Sequence, residues 1–509
     1  MKIKVEPEAD KRGNESLSEK ILDEAKQGGP SFLFSLLIHM MLLFIFWIVV
    51  APGGIDLSGG GGLTVDLEIS EDEEKAGEQN QPDIKDRKPI FNAKVQPIPK
   101  QDNTQKKKAG TKKGKPVGKG PKPQPVKPVQ VKKLFLNRNP KLRDEILKKL
   151  DPEEKIRRAI SAGLQWLKRH QNSTGNWQLH RGYPDPGYEF LPTDTGATAL
   201  ALLAFLGDGH THMKRGPYQE TIRKGLKWLV GVQKRDGDLH DSQELGRQTA
   251  FYAHSQATIV LCEAYAMTGD ETLKEPAERA VKFLVDSQNP VKGGWKYQPQ
   301  GPRSRGDLSV TGWALMALHS ARAAGLKVPE DAFELSSLFL DEVQEDDGAR
   351  YRYEPQPTPR PVTPTMTAEG LLCRQFLGWS RKHAPLRDGV AYLLQPENKP
   401  RWIASGQDDP HVYYWYYAGH VLHNMGGKPW ENWYRDVSMM IVSHQEKSSS
   451  RKRDVRGSWN PKDKKGVYYG YGKIGGRLYV TTLCLLVLEM PYRHSSIYTP
   501  TKSEEADSP

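Results

Sequence analysis

Six acidic or imidazole side chains stand at or near the start of apolar segments in the C-terminal part of the chain. They are Asp194, His254, Asp307, Glu369, Asp409 and His411. If these segments are helices that begin at one rim of a cavity, the six side chains meet at its mouth, where helix N-termini add partial positive charge. Two carboxyl groups across such a mouth can act as general acid and general base, as in glycoside hydrolysis. The competing interpretation is that Asp194, Asp307 and Asp409 are helix N-caps, because Asp is a preferred cap residue.

The stretch DDPHVYYWYYAGHVLH (408–423) is unusually dense in aromatic and imidazole side chains. Tyr414, Trp415 and Tyr417 are candidate ligand-binding residues, since aromatic walls suit the faces of sugars and isoprenoids. Arg477 is a further candidate binding residue at the same mouth.

Three histidines, His411, His420 and His423, are weak candidates for metal ligands. His420 and His423 are three residues apart and therefore share one helix face. A metal site would need a carboxylate such as Asp409 to join them. The spacing matches no recognised zinc pattern, so we predict neither a metal nor a cofactor.

Two kinds of helix alternate from residue 152 onward. Outer segments such as GLQWLKRHQNSTGNW (163–177) carry a glutamine and, in most cases, a turn that ends in Gly-x-Trp or a relative. The glutamines are Gln171, Gln233, Gln288, Gln344, Gln395 and Gln445. Inner segments such as TDTGATALALLAFLGDG (193–209) are rich in Ala, Thr and Gly on all faces, which suits a helix buried between layers. Six outer–inner pairs predict an all-α fold, an (α/α)6 toroid of six helical hairpin repeats; an open solenoid is the alternative.

The repeat units resemble the glutamine–tryptophan repeats of squalene/hopene cyclases and of protein prenyltransferase β subunits. The resemblance covers about residues 152–495, and we place the toroid domain at 134–495. It implies an (α/α)6 toroid in which the Gln and Trp tie each turn to the next helix. Because several chemistries share this scaffold, the resemblance is specific for the fold and poor for function.

The chemistries of these relatives are not visible in the sequence. Cyclases use the middle Asp of D-x-D-D-T-A as proton donor, and LPTDTGATAL places Thr193 there and Leu191 at the first Asp. The Asp-x-Cys zinc element of prenyltransferases and the Cys-Gly-Glu-Gln thioester of complement-type toroids are also missing. The first hypothesis is therefore a binding or scaffold module. The alternative is a toroid-cavity enzyme that acts on an isoprenoid or a polysaccharide.

The N-terminal region predicts a membrane anchor at residues 31–51, after a cytoplasmic tail at 1–30. Phe32 to Val50 is apolar except for Ser35 and His39, and its length matches a bilayer core. Lysines precede it and acidic residues follow it, so the positive-inside rule places the N-terminus in the cytoplasm. We expect a single-pass protein of the cytoplasmic membrane with a periplasmic large domain.

Residues 52–133 predict a disordered linker, first Gly-rich and acidic, then rich in Lys and Pro. Ser35 and His39 together with this linker resemble the TonB family of energy transducers, which implies contact with a motor of ExbB/ExbD type. Anionic cell-wall polymers are further possible partners of the lysines. The C-terminal residues 496–509 predict a disordered tail.

The positive charge of the chain is confined to the linker. Formal net charge is +12, and eleven lysines without any acid lie between Asn103 and Lys133. The rest of the chain is nearly neutral, so we do not predict a nucleic-acid partner.

Overall fold

The computed structural model describes residues 134–240, 248–402, 411–447, 453–463 and 465–498. The predicted tail (1–30), membrane span (31–51) and linker (52–133), with Ser35 and His39, lie outside the described residues. Among the helices of the described ranges, none has the length and apolar character needed to cross a bilayer.

The described residues are mostly helical. In chain order the helices are α1 (Pro140–Leu150), α2 (Lys155–Arg169), α3 (Asp194–Gly207), α4 (Gln219–Val232), α5 (Ala250–Thr268), α6 (Lys274–Asp286), α7 (Leu308–Ala323), α8 (Glu330–Val343), α9 (Pro364–Phe376), α10 (Ala384–Leu393), α11 (Val412–Met425), α12 (Gly427–Ser443), α13 (Gly472–Leu488) and α14 (Met490–Arg493). Strand β1 (Gln344–Glu345) pairs antiparallel with β2 (Arg350–Tyr351).

Helices α3, α5, α7, α9, α11 and α13 form an inner ring. Each contacts the next along the chain, and α13 returns to contact α3. The outer helices α2, α4, α6, α8, α10 and α12 pack against this ring, and α2 contacts both α12 and α13. The ring is therefore closed, which confirms the predicted (α/α)6 toroid and rules out the open solenoid.

Side-chain caps set where the inner helices begin. Thr193 accepts a hydrogen bond from the N–H of Gly196 at 2.9 Å, and Thr363 caps α9 in the same way. Asp307 accepts from the N–H of Val310 at 2.9 Å. Such caps satisfy N–H groups that a helix leaves unpaired at its start. Asp307 is thus an N-cap as predicted, whereas the cap of α3 is Thr193 and not Asp194.

Four of the six repeated glutamines bridge successive repeats. The side-chain N–H of Gln171 donates to the carbonyl of Thr221 in α4 at 2.8 Å. Gln233 reaches Pro276 in α6 and Gln288 reaches Ala332 in α8 by the same bond. Gln445 donates to the carbonyl of Ala159 in α2 at 2.8 Å, so the last repeat is tied to the first.

A buried ionic cluster closes the end of the toroid at which the inner helices terminate, called here the floor. Glu263 of α5 lies 2.8 Å from Arg138, 3.2 Å from Arg493 and 3.1 Å from His494. Burial opposes ionisation of Glu263, but Arg138 and Arg493 overcome it and hold the pKa of this carboxyl well below its usual range. Since Arg138 and Arg493 lie near the two ends of the described chain, Glu263 ties both ends to the floor.

The described chain continues past residue 495, where the predicted tail begins. The hydroxyl of Tyr498 donates to the carbonyl of Trp379 at 2.6 Å, and Ser496 donates to that of Asn424 at 3.2 Å. These bonds attach the first residues of the predicted tail to the floor.

Glu263→Gln should lower the free energy of unfolding at pH 7 by about 3–5 kcal/mol, because the buried guanidinium of Arg138 loses its carboxylate partner and that of Arg493 keeps only Glu489. The depressed pKa means that this contribution is present above the unfolded value of about 4.3 and is lost as pH falls through the folded value. Urea unfolding of wild type and variant between pH 3 and pH 7 measures the difference. Glu153→Gln at an exposed site is the control, and a difference that does not shrink at low pH would contradict the assignment.

Candidate active site

Asp307 and Glu369 are two buried carboxyl groups on the neighbouring inner helices α7 and α9. Neither has any exposed surface. Asp307 caps α7 and also accepts a hydrogen bond from the Ser309 hydroxyl at 2.9 Å. Glu369 lies in the second turn of α9, against the backbone of α7: a Cβ atom at Gly312 would come within 2.1 Å of its Oε1 atom. Glycine at position 312 therefore makes room for the Glu369 carboxyl.

Hydroxyl groups connect the two carboxyls. The Tyr252 hydroxyl of α5 lies 2.5 Å from that of Ser309, which donates to Asp307. The Tyr413 hydroxyl of α11 lies 3.4 Å from Glu369 Oε1 and 3.5 Å from the carbonyl of Ser309. Four successive inner helices thus contribute to one polar cluster.

Both carboxyls have pKa values above their ordinary range. Burial is the main cause for Glu369, whose pKa is raised well above the usual value; Asp307 adds to the rise, and the Tyr417 and Tyr413 hydroxyls oppose it. Burial also raises the pKa of Asp307, against its hydrogen bonds from Val310 and Ser309. Within the described residues, neither carboxyl has a cation at ion-pair distance, in contrast to Glu263.

Several buried polar atoms around this pair have no hydrogen-bond partner within the described part of the chain. They are Asp307 Oδ2, Glu369 Oε2, Thr365 Oγ1 and Trp313 Nε1, although the hydroxyls of Tyr353 and Tyr417 lie close enough to the two carboxyls to lower their pKa values. Buried polar groups are paired in the great majority of cases, so a group of unpaired ones needs an explanation. Unpaired donors and acceptors on two neighbouring inner helices, α7 and α9, are suited to bind a polar ligand.

The remaining acidic candidates do not join this pair. Asp194 accepts hydrogen bonds from Asn176 and Gln178, both at 2.8 Å, and so holds the turn that precedes α3. Asp409 lies outside the described residues.

His254 has a structural position. In four repeats a turn residue donates its N–H to a threonine of the next inner helix; the pairs are Trp177–Thr198, Trp295–Thr311, Tyr351–Thr367 and Trp459–Thr481. His254 takes the place of that threonine and accepts from the N–H of Leu239 at 3.1 Å, while its Nε2 lies 3.0 Å from the carbonyl of Ala280. Burial lowers its pKa to about 4. Both ring nitrogens are therefore engaged in holding the turn.

His411 and Arg477 also serve the framework at the mouth. His411 is the N-cap of α11, where its Nδ1 accepts from the N–H of Tyr413 at 3.2 Å. The buried Arg477 forms an ion pair with Asp185 and donates to the carbonyl of Pro184 at 3.1 Å. Arg477 thereby holds the loop that leads to α3.

The three candidate binding residues of α11 face different ways. Tyr414 donates to the carbonyl of Leu393 at the end of α10 at 3.1 Å. Trp415 lies 5.7 Å from the Trp402 ring. Both therefore face the outer layer, whereas Tyr417 faces inward, with its ring 6.0 Å from that of Trp313.

The three candidate metal ligands lie apart. His420 and His423 follow His411 by more than two turns, which is roughly 14 Å or more along a helix, and both line a small cavity at the floor. Among the described residues, no group of three His, Cys, Asp or Glu side chains is arranged to hold a metal ion.

Aromatic side chains occupy the centre of the ring. Trp313 of α7 stacks on Tyr416 of α11 with 5.4 Å between ring centroids, and both are almost completely buried. The cavity at the floor offers about 20 Å³ to the centres of water molecules, which is room for one or two waters. The carboxyl pair therefore lies between this aromatic layer and the mouth.

Comparisons with known proteins find likeness at the level of structure alone. No family model matches the chain, and no curated protein matches its sequence. Similar solved structures include an α-1,6-mannanase of Salegentibacter sp. HEL1_6 (9% identity, TM-score 0.46, 66% of this chain and 98% of that one). Others are cellobiose 2-epimerase of Spirochaeta thermophila (14%, 0.47, 69% and 96%) and a type II terpene cyclase of Scytonema (11%, 0.43, 67% and 97%).

These comparisons correct the first hypothesis drawn from the sequence. The matching structures have helical toroids and are described as enzymes, several of them α-mannanases. The expectation of a binding or scaffold module is therefore wrong, and the alternative of a toroid-cavity enzyme agrees better with the findings. The comparisons support the toroid fold but show neither the squalene cyclase family in particular nor a TonB-type anchor.

Glu369→Gln should change stability in a pH-dependent way. Because the folded pKa of Glu369 is raised, the wild type loses stability as pH rises from the unfolded value of about 4.3 towards the folded value. The variant has no such loss, so its Tm relative to wild type should increase between pH 4 and pH 8. Calorimetry across this range measures it, with Glu153→Gln as the exposed control. A constant offset at all pH values would show that Glu369 ionises normally.

Proposed function

We propose that this chain is a carbohydrate-active enzyme that cleaves glycosidic bonds by acid–base catalysis at the Asp307–Glu369 pair. The observation that carries the proposal is the burial of two neighbouring carboxyls to which no described residue supplies a compensating cation. Burying such groups costs free energy, and shifted carboxyl pKa values of this kind concentrate at catalytic sites. Glu263 at the floor is equally buried but is neutralised by two arginines.

The two carboxyls suit different roles because their surroundings differ. Glu369 has the more strongly raised pKa and would hold the proton that it delivers to the glycosidic oxygen as the bond to the anomeric carbon breaks. Asp307 receives hydrogen bonds from Val310 and Ser309 that favour its ionised form. It would accept a proton from the water whose oxygen adds to the anomeric carbon.

A sugar fits this site better than an isoprenoid. The side chains beside the carboxyls are tyrosines with hydroxyl groups, and the unpaired polar atoms of Trp313 and Thr365 could form hydrogen bonds with sugar hydroxyls. A polyene offers none of these bonds, and the ring centre where it would extend holds Trp313 and Tyr416.

Asp307→Asn and Glu369→Gln should each lower kcat by about 10²–10⁴-fold, the usual contribution of a general acid or base. Asn remains a good N-cap and Gln has the shape of Glu, so both variants should fold. The assay is release of reducing ends from a panel of polysaccharides. Glu489→Gln, another buried carboxyl but at the floor, is the matched control and should retain activity. Wild-type rates in both variants, or no turnover of any glycan by wild type, would overturn the proposal.

We also propose that residues 31–51 anchor the chain in the cytoplasmic membrane with the toroid in the periplasm. The support is the sequence: the length of the apolar run, the charge asymmetry around it, and Ser35 and His39 on one helix face. An ionisable residue within a membrane span is a functional hypothesis by default. The Ser35–His39 face would contact a motor of ExbB/ExbD type, and the lysine-rich linker would reach cell-wall polymers.

His39→Leu should leave the protein in the membrane fraction, because it makes the span more apolar. It should remove co-purification with an ExbB/ExbD pair expressed alongside. Leu42→Ile, in the same span, is the control and should preserve both properties. Undiminished co-purification of the His39 variant would show that this face does not mediate the contact.

A further inference from the structure

The loops that lead into α7 and α9 carry an excess of positive charge next to the carboxyl pair. The cations of this basic rim are Lys296, Arg303, Arg305 and Arg360. Arg352, in the second loop, is neutralised by Glu345. Glu354 is the remaining acid of the two loops, residues 296–306 and 352–362. The basic rim is therefore positive overall.

A pair of tyrosines holds the two loops together. The hydroxyls of Tyr297 and Tyr353 are 2.7 Å apart. The Arg360 guanidinium lies 4.2 Å from the centre of the Tyr353 ring, and Lys296 Nζ lies 5.8 Å from that of Tyr297. The loops thus present two phenol rings with cations against their faces.

The cations of the basic rim are only partly neutralised. Glu354 lies 3.6 Å from Lys296 and 3.9 Å from Arg360, so one carboxylate is shared by two cations. Arg305 donates to the carbonyl of Pro357 at 3.3 Å, which directs it across to the other loop. Its charge has no ion-pair partner within the described residues, and neither has that of the exposed Arg303.

The basic rim lies beside the proposed catalytic carboxyls. The N–H of Leu308, next to Asp307, donates to the carbonyl of Tyr353 at 2.8 Å, and the N–H of Asp307 donates to the carbonyl of Trp295, next to Lys296, at 2.9 Å. The four cations of the basic rim outnumber the three acids Glu354, Asp307 and Glu369, so the charge stays positive even when both carboxyls of the pair are ionised. A ligand at Asp307 therefore meets a net positive surface.

We infer that the sugar residue bound beside Asp307 is acidic and carries a carboxylate or sulfate group that Lys296, Arg305 and Arg360 bind. The inference rests on the proposed function and names the substrate class of the same site. Guanidinium groups match the geometry of both anions through paired N–H donors. The neighbouring Tyr297 and Tyr353 rings supply apolar surface for the sugar face.

Thermal unfolding of the full chain in the presence of short glycans tests the inference. A ligand that binds the folded toroid raises its Tm, whereas one held by a lysine-rich segment of the linker binds the folded and unfolded states alike and does not. The probes are trigalacturonic acid, its carboxyl-reduced neutral counterpart and a sulfated neutral trisaccharide. We expect an acidic probe to raise Tm and the neutral one to have a much smaller effect; comparing the two acidic probes distinguishes carboxylate from sulfate.

The double variant Arg305→Gln/Arg360→Gln should bind the acidic probe more weakly, with an apparent Kd at least about tenfold higher, since two charge-assisted contacts are lost. Its affinity for the neutral probe should not change. Arg223→Gln/Lys282→Gln removes the same charge from exposed positions of α4 and α6 and should behave as wild type.

Equal Tm shifts with the acidic and the neutral probe would overturn the inferred preference for an acidic sugar. The proposed cleavage of glycosidic bonds would not be affected by that result. Retention of the acidic shift in Arg305→Gln/Arg360→Gln would overturn the assignment of these residues. If no probe shifts Tm, the inference fails, and the separate assay of reducing ends then decides whether the proposed function fails with it.

Discussion

The hydrogen bond from Gln445 to the carbonyl of Ala159 ties the last repeat to the first, and the rest of the structure depends on this closure. The inner helices are apolar on nearly every face, so a single hairpin would expose a large apolar surface. Each repeat covers the next, and only a closed ring covers the sixth. In the closed ring, the inward-facing side chains of the inner helices pack against one another along one axis, where little space remains.

The buried carboxyl groups near that axis have two kinds of surroundings. At the floor, Glu263 is surrounded by Arg138, Arg493 and His494, so the buried charge is compensated and links both chain ends. Toward the mouth, Asp307 and Glu369 have hydroxyl groups around them, and none of the described residues places a cation in contact with them. The first arrangement explains stability. The second costs free energy, and the proposed acid–base role would account for it, because a raised pKa favours the protonated form that can donate a proton.

The missing cyclase, zinc and thioester motifs argued for a noncatalytic module, and that conclusion was wrong. Those motifs report the chemistry of particular relatives and are silent about other positions on the same scaffold. In the cyclase alignment the acid would fall at Thr193, on the first inner helix. The carboxyl pair instead comes from the third and fourth inner helices, and the tyrosines beside it come from the second and fifth. A motif search confined to one helix cannot find a site assembled from four.

The sequence by itself determined the class of fold, the alternation of outer and inner helices, and the repeated glutamine and aromatic positions, because these follow from local periodicity and spacing. It also identified Asp307 and Glu369 among the candidates, since both lie near starts of apolar helices. Only the tertiary structure decided which candidates meet. His254 replaces a repeated threonine, and Arg477 holds a loop. Tyr414 and Trp415 face outward, because the direction of a side chain depends on its position around the axis of its own helix. Glu369 packs against Gly312, and tyrosines from other repeats lie beside both carboxyls. These contacts arise from closure of the ring, which brings together residues that no local sequence pattern relates.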